Sequence, residues 1–235
     1  MAGLSDETRQ LLAQASTATL TTQLFKRGLR NTFMQAVRRL TPEAPVMVGE
    51  AYTLRMIPAR EDLDHPDMFR GRDYPQRRAI EECPPGAVLT IDCRGKGAAG
   101  ALGDILIARL MQRGVAGVVT DGAMRDTPQI VPLALPVYAR GAAAPASFGL
   151  HHAVDLNLPI GCGEVAVFPG DVLVGDGEGV VVIPRHLADE VARDAAAQER
   201  LEAWILGEVK AGQSIFGLYP PDDDARRRYE ASRQR

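Results

Sequence analysis

"GAVLTIDCRGKGAAGALGDILIARLMQRGVAGVVTDGAMRD", Gly86 to Asp126, places two short apolar runs on either side of an amphipathic stretch. "GAVLTIDC" (Gly86 to Cys93) and "VAGVVTD" (Val115 to Asp121) are apolar almost throughout, as strands covered on both faces must be. "DILIARLMQRG" (Asp104 to Gly114) carries apolar residues at helical spacing and stops at a glycine. The pattern predicts a strand–helix–strand crossover, which makes the two strands parallel and the connection right-handed. Parallel neighbours end at the same sheet edge, so the loop after Cys93 and the loop after Asp121 lie side by side. Open sheets of this kind bind ligands at that edge. Asp104 starts the helix beside the first loop, and Arg125 and Asp126 belong to the second.

The residue types at that edge define a chemistry. The first helical turn leaves backbone N–H groups near Ile105 and Leu106 unpaired, and these favour an anion. Arg125 offers a planar fork that matches a carboxylate. Asp126 and Asp104 are hard oxygen ligands for Mg²⁺ or Mn²⁺, directly or through water. Gly97, Gly100 and Gly103 allow the backbone to approach a ligand closely. Taken one at a time, Asp104 is an ordinary helix cap and Arg125–Asp126 an ordinary surface ion pair. Their shared edge makes the set of three a candidate site for a small anion beside a divalent cation.

Outward from this unit, helices are expected over Asp6 to Ala15 and over "TLTTQLFKRG", which ends at Gly28. "PVMVGEAYTLRMIP" (Pro45 to Pro58) reads as one or two strands. "AREDLDHPDMFRGRDYPQRR" (Ala59 to Arg78) reads as a long surface loop leading into a short helix, and long loops are often functional. After Asp126 the chain turns β-rich: "LPVYAR", "AVDLNLPIG" and "EVAVFPGDVLVGDGEGVVVIP" are short strands and turns. A long helix runs from Arg185 to about Lys210, with Trp204 and Ile205 on a face that packs on the body or on a neighbour. "DDDARRR" reads as a solvated tail or helix end. The expected fold is α/β, with a helical segment 1–44, a core 45–184 and a C-terminal helix and tail 185–235.

Composition narrows the function. The 235 residues are 46% hydrophobic and 24% charged, ordinary for a globular chain. A net charge of -3 provides no basic field for nucleic acid or an anionic membrane. Cys83, Cys93 and Cys162 are odd in number and widely spaced, which argues against a disulfide framework or zinc knuckle. "MAGLSDETRQLLAQAS" lacks the basic start and apolar run of a secretory signal, and no stretch approaches the roughly 20 apolar residues of a membrane helix. The cytoplasm is the expected compartment.

Twenty residues separate Asp104 from the Arg125–Asp126 pair, and "VFPGDVLVGDGEGVVVIP" (Val167 to Pro184) follows. Together these resemble the signature of the RraA-like family, over roughly Gly49 to Pro184. That family holds the class II pyruvate aldolases that cleave 4-hydroxy-4-methyl-2-oxoglutarate, and also the regulator of ribonuclease activity A. The resemblance implies a swivelling β/β/α fold, a homotrimer or pair of trimers with sites between subunits, and a divalent metal such as Mg²⁺. It implies Asp126 as the metal ligand, Arg125 on the substrate carboxylate or developing enolate, and Asp104 holding metal-bound water and relaying a proton. The Gly103, Asp104, Ile105 and Leu106 segment would hold the 2-oxo acid. The family's acid from a neighbouring subunit has Glu199 and Glu202 as its candidates here. The implied activity is retro-aldol cleavage or decarboxylation of a 2-oxo acid to pyruvate. The alternative is a non-catalytic regulator of an RNA-degrading enzyme.

Other features compete less well. Lys96 is the one lysine near the edge, but its open polar loop does not suit a Schiff base. His151 and His152 point to opposite faces of a strand and read as structural or exposed. His65 and His186 have no supporting spacing. "GKGAAG" (Gly95 to Gly100) matches the dinucleotide fingerprint with Asp121 downstream, but a chain that turns β-rich lacks the helices such a domain needs. Asp171 and Asp176 fit turns.

Overall fold

The computed structural model describes residues 3–233, so the outermost residues of the first and last expected segments lie outside it. Two short helices open the chain, α1 (Asp6–Ala13) and α2 (Thr17–Lys26). Ser5 and Ser16 cap them, each hydroxyl accepting from the backbone N–H three residues on at 3.1 Å. The first helix thus stops two residues earlier than its periodicity suggests, because Ser16 starts a new cap. After β1 (Arg38–Arg39) comes β2 (Met47–Pro58), a single 12-residue strand where the sequence allowed one or two.

The expected loop over 59–78 is more ordered than its composition indicates. It contains a 3₁₀ turn, Pro66–Arg70, and leads into α3 (Pro75–Glu82). Phe69 anchors it, its ring 5.5 Å from Tyr74 and 5.8 Å from Phe148. Asp64 is buried there, accepting from Arg60 N at 2.7 Å and facing His152 Nδ1 at 2.7 Å. Aromatic ring contacts and one buried carboxylate supply the order that polar residues alone would not.

The crossover forms as predicted. β3 (Ala87–Asp92), α4 (Asp104–Gln112) and β4 (Gly117–Thr120) follow in turn, with Val88 opposite Gly117 and Ile91 opposite Thr120 in parallel register. β5 (Ala123–Met124), α5 (Thr127–Ile130), β6 (Val137–Ala139) and β7 (Gly141–Ala142) come next. The β-rich stretch supplies β8 (His151–Leu156), β9 (Ile160–Cys162), β10 (Val165–Val167), β11 (Val172–Gly175) and β12 (Val180–Ile183). The principal sheet runs β1-β6-β4-β3-β2-β11-β12, with β8 also on β2. From β6 through β2 it is parallel, and β1, β8, β11 and β12 join antiparallel.

One face of this sheet packs Ile80, Ile107 and Leu110 of α3 and α4 against Leu89, Ile91 and Val118. The other face meets Met34, Val37 and the β9-β10 ribbon. A third layer is built from α1, α2 and α6 (Ala188–Lys210), whose Leu12, Leu20 and Val191 cover Val172 and Val181. Of the two readings of "DDDARRR", the helix end holds: the run is the start of a helix, its charged side chains exposed and only Ala225 buried. Asp222 caps α7 (Asp223–Ser232), and Ala225 packs with Ile205 and Leu218. Trp204 faces α7, 5.7 Å from the Tyr229 ring, so this face covers the chain's own C-terminal helix. The fold is a mixed α/β single domain with a long C-terminal helix. No helix of the described residues is long and apolar enough to cross a membrane.

His151 is fully buried at the start of β8, where Arg94 Nη2 lies 3.2 Å from its Nδ1. Burial, reinforced by the Arg94 guanidinium, pushes its pKa down to about 4. In the unfolded chain the ring titrates near 6.5, so unfolding takes up a proton between those values. The contribution is fully present above pH about 6.5 and is lost as the pH falls towards 4. Stability by urea unfolding is expected to drop by about 2 kcal/mol between pH 7 and pH 4.5 through this group. His151→Gln should remove that part of the acid limb. An unchanged pH slope in the variant would show that other groups carry it.

Candidate active site

Two loops build the site, and one buried carboxylate sets the first of them. Asp121, just past β4, is 5% exposed and accepts from Cys93 N at 2.6 Å, Gly95 N at 2.9 Å and Gly163 N at 3.4 Å. Burial raises its pKa and the three N–H groups oppose that rise. Asp121 is therefore the clamp of the glycine-rich loop, and the dinucleotide reading of "GKGAAG" has no acid left for a ribose. The loop then runs along β5: Ala101 N donates to Ala123 O at 2.7 Å, and Arg125 N to Leu102 O at 3.0 Å.

This stitching explains two glycines. A Cβ at Gly100 would fall 2.7 Å from Arg125 N, and one at Gly103 would fall 2.6 Å from Asp126 Oδ2. Asp126 itself is left-handed, with φ 55°, a conformation Asp tolerates better than most residues. Gly103, rather than Asp104, caps α4. Asp104 is the first helical residue, and its Oδ1 accepts from Ile105 N at 2.7 Å. A carboxylate there is favoured by the helix dipole.

Gly103, Asp104, Ile105, Leu106, Arg125 and Asp126 line one cavity of about 320 Å³. All six sequence candidates converge. Arg125 Nε lies 3.2 Å from Asp126 Oδ2, close enough for attraction but without hydrogen-bond geometry. The two side chains are 41% and 38% exposed, so both remain open to a ligand. Among the described residues no three His, Cys, Asp or Glu side chains cluster closely enough to cage a metal. Asp104 and Asp126 instead make an open two-carboxylate set. That suits Mg²⁺, which is commonly held by one or two carboxylates and otherwise by water and substrate.

Phe69, Gln76, Arg77 and Ser147 also line the cavity. The sequence flagged the 60–78 loop without resolving which of its residues reach the site, and Ser147 carried no signal. Lys96 is exposed and is not among the lining residues, nor are His65 and His186. Glu199 accepts from Ser16 N at 2.9 Å and Ser16 Oγ at 2.8 Å, and Glu202 accepts from Gln198 Nε2 at 2.8 Å. Within one chain both acids are tied to helix α6 and its neighbours rather than to the cavity. Burial pushes the Cys83 and Cys93 thiols up to about 12, which leaves neither as a nucleophile.

Gly103→Ala tests whether the close approach matters. The methyl group must displace the Asp126 carboxylate or the loop. The expected result is an intact fold with ligand binding or turnover reduced about tenfold or more, as for a misplaced reacting group. Wild-type behaviour would mean that the position of Asp126 is not critical.

A protein of Halalkalibacterium halodurans, named a candidate 4-hydroxy-4-methyl-2-oxoglutarate aldolase, is 36% identical over 52% of this chain and 58% of its own. The 4-hydroxy-4-methyl-2-oxoglutarate aldolase of Thermus thermophilus is 33% identical over 46% of this chain and 65% of its own. The aligned stretches thus span less than two thirds of these relatives. The crystal structure of Streptomyces coelicolor RraAS2, described as an unusual member of the RNase ES inhibitor RraA family, superposes with a TM-score of 0.75. It is 29% identical and covers 87% of this chain and 98% of that one. A Pseudomonas syringae pv. tomato structure, 23% identical, shares the fold at a TM-score of 0.82 over 94% of this chain and 96% of its own. The sequence profile of the RraA-like family (Aldolase/RraA) matches residues 4–182, and the chain belongs to that family.

Proposed function

We propose that the protein is a divalent-metal-dependent lyase that cleaves a 2-oxo acid by retro-aldol reaction or decarboxylation and releases pyruvate. The observation that carries this reading is the convergence of Asp104, Arg125 and Asp126 on one small cavity at the carboxyl edge of the sheet. Asp126 would hold Mg²⁺ or Mn²⁺, with Asp104 reaching it through water, and the bound cation would supply a Lewis acid for the 2-oxo carboxylate. The Gly103 to Leu106 backbone, where Ile105 N already donates to Asp104 Oδ1, receives the carboxylate of the 2-oxo acid through its remaining N–H groups at a helix N-terminus. Arg125 stabilises the negative charge that develops on the pyruvate enolate as the carbon–carbon bond breaks. Asp104, through water, takes the proton from the C4 hydroxyl and returns one to the new methyl carbon. A two-carboxylate set leaves room for an acid from another copy, in a trimer or pair of trimers. The exposed position of Lys96 outside the cavity disfavours a Schiff-base route.

Pyruvate release from 4-hydroxy-4-methyl-2-oxoglutarate and from oxaloacetate, followed with a coupled dehydrogenase with and without Mg²⁺, tests the reading. Turnover that requires the metal is expected. No turnover on these or on related sugar-derived 2-oxo acids would defeat it. The name of the Streptomyces neighbour favours a second reading, regulation of an RNA-degrading enzyme. A regulator does not need the Arg125 guanidinium, so partner binding that survives Arg125→Ala in a protein without turnover would favour it.

A further inference from the structure

The proposed chemistry leaves Phe69, Arg77 and Ser147 of the cavity wall without a task. Arg77 is the third residue of α3, and its guanidinium carbon lies 4.9 Å from the centroid of the Phe69 ring. Apart from that stacking, it makes no hydrogen bond or ion pair among the described residues, and its Nε is buried without an acceptor. The next arginine, Arg78, is bound to Glu82 at 2.7 Å, and Arg109 of the neighbouring helix to Glu81 at 2.8 Å. A guanidinium N–H withdrawn from water with no partner costs free energy that an arriving anion recovers. The Phe69 ring, wedged between Tyr74 and Phe148, makes a fixed platform, so the guanidinium is pre-oriented by stacking. Ser147 is 6% exposed, and its Oγ also has no partner.

Charge points the same way. Arg77 and Arg125 cancel Asp104 and Asp126, so the cavity wall is neutral by itself. With the divalent cation of the proposed function it carries two positive charges, which a dianion balances and a monoanion does not.

We propose that Arg77, stacked on Phe69 and with Ser147 on the same wall, is the specificity-determining residue that receives the distal carboxylate of a 2-oxo dicarboxylate. This rests on the lyase reading for the placement of the 2-oxo end near Arg125 and the Gly103–Leu106 backbone. A bidentate guanidinium–carboxylate pair in a partly closed cavity discriminates strongly against an analogue that ends in a methyl group.

The test is calorimetric binding, in the presence of Mg²⁺, of 2-oxoglutarate and of 2-oxopentanoate, which replaces the distal carboxylate with a methyl group. The wild type should bind the dicarboxylate about tenfold or more tightly. Arg77→Met should reduce that preference to about twofold or less while keeping the 2-oxopentanoate affinity, and Arg77→Lys should restore part of it. Equal affinities in the wild type, a preference that survives Arg77→Met, or a loss shared equally by both acids would overturn the inference. Pyruvate release, measured in parallel, separates the two readings. Dicarboxylate preference that depends on Arg77 in a protein without turnover sinks the lyase and leaves this subsite. Turnover without any such preference does the reverse.

Discussion

Arg125→Ala is expected to lower the rate of pyruvate formation about a thousandfold, with the loss in kcat rather than in KM. The guanidinium is placed where charge develops during bond cleavage, so its contribution grows from bound substrate to transition state. Fold stability should barely change. The Arg125–Asp126 pair is about 40% exposed, and such pairs contribute about 0–1 kcal/mol. The methylenes of Arg125 pack against Gly100 and Gly103, so Arg125→Lys keeps most of that packing and isolates the planar fork. A lysine variant with wild-type kcat would show that only a positive charge is needed. An alanine variant with wild-type kcat would remove Arg125 from the chemistry altogether.

Asp126→Asn should abolish the response to Mg²⁺ and with it essentially all turnover, a loss of about a thousandfold or more. Chelation of the wild type by EDTA should produce the same inactive protein, and added Mg²⁺ or Mn²⁺ should restore only the wild type. An amide keeps the size of the carboxylate and its left-handed backbone, since Asn tolerates that conformation as well as Asp. Metal binding can be read directly by calorimetry, independent of turnover. Tight Mg²⁺ binding that persists in Asp126→Asn would move the metal elsewhere, and full activity in EDTA would defeat metal dependence.

Much of this was legible in the chain. The apolar runs at Ala87–Asp92 and Gly117–Thr120 are too short and too continuous for anything but covered strands, and the helix between them forces parallel order. Parallel order alone carries Asp104 and Arg125–Asp126 to one edge. Asp121 was harder to read. Its resemblance to a ribose-binding acid depends on spacing, whereas its three backbone N–H partners, Cys93, Gly95 and Gly163, lie 26 to 42 residues away from it in sequence. The polar 59–78 stretch was harder still, because its order comes from Phe69 meeting Phe148 and from Asp64 meeting His152, pairs that no local pattern reveals.

Local periodicity and turn chemistry by themselves determined the crossover, the long helix α6 and the edge at which chemistry is expected, because each depends on residues within a few turns of one another. Only the tertiary structure decided that Gly103 must stay a glycine beside Asp126, that Glu199 is committed to holding Ser16, the cap of α2, and that Arg77 and Ser147 share the cavity wall with Arg125. Those outcomes depend on close approaches between segments distant in sequence, and side-chain packing settles them after the strands and helices have formed.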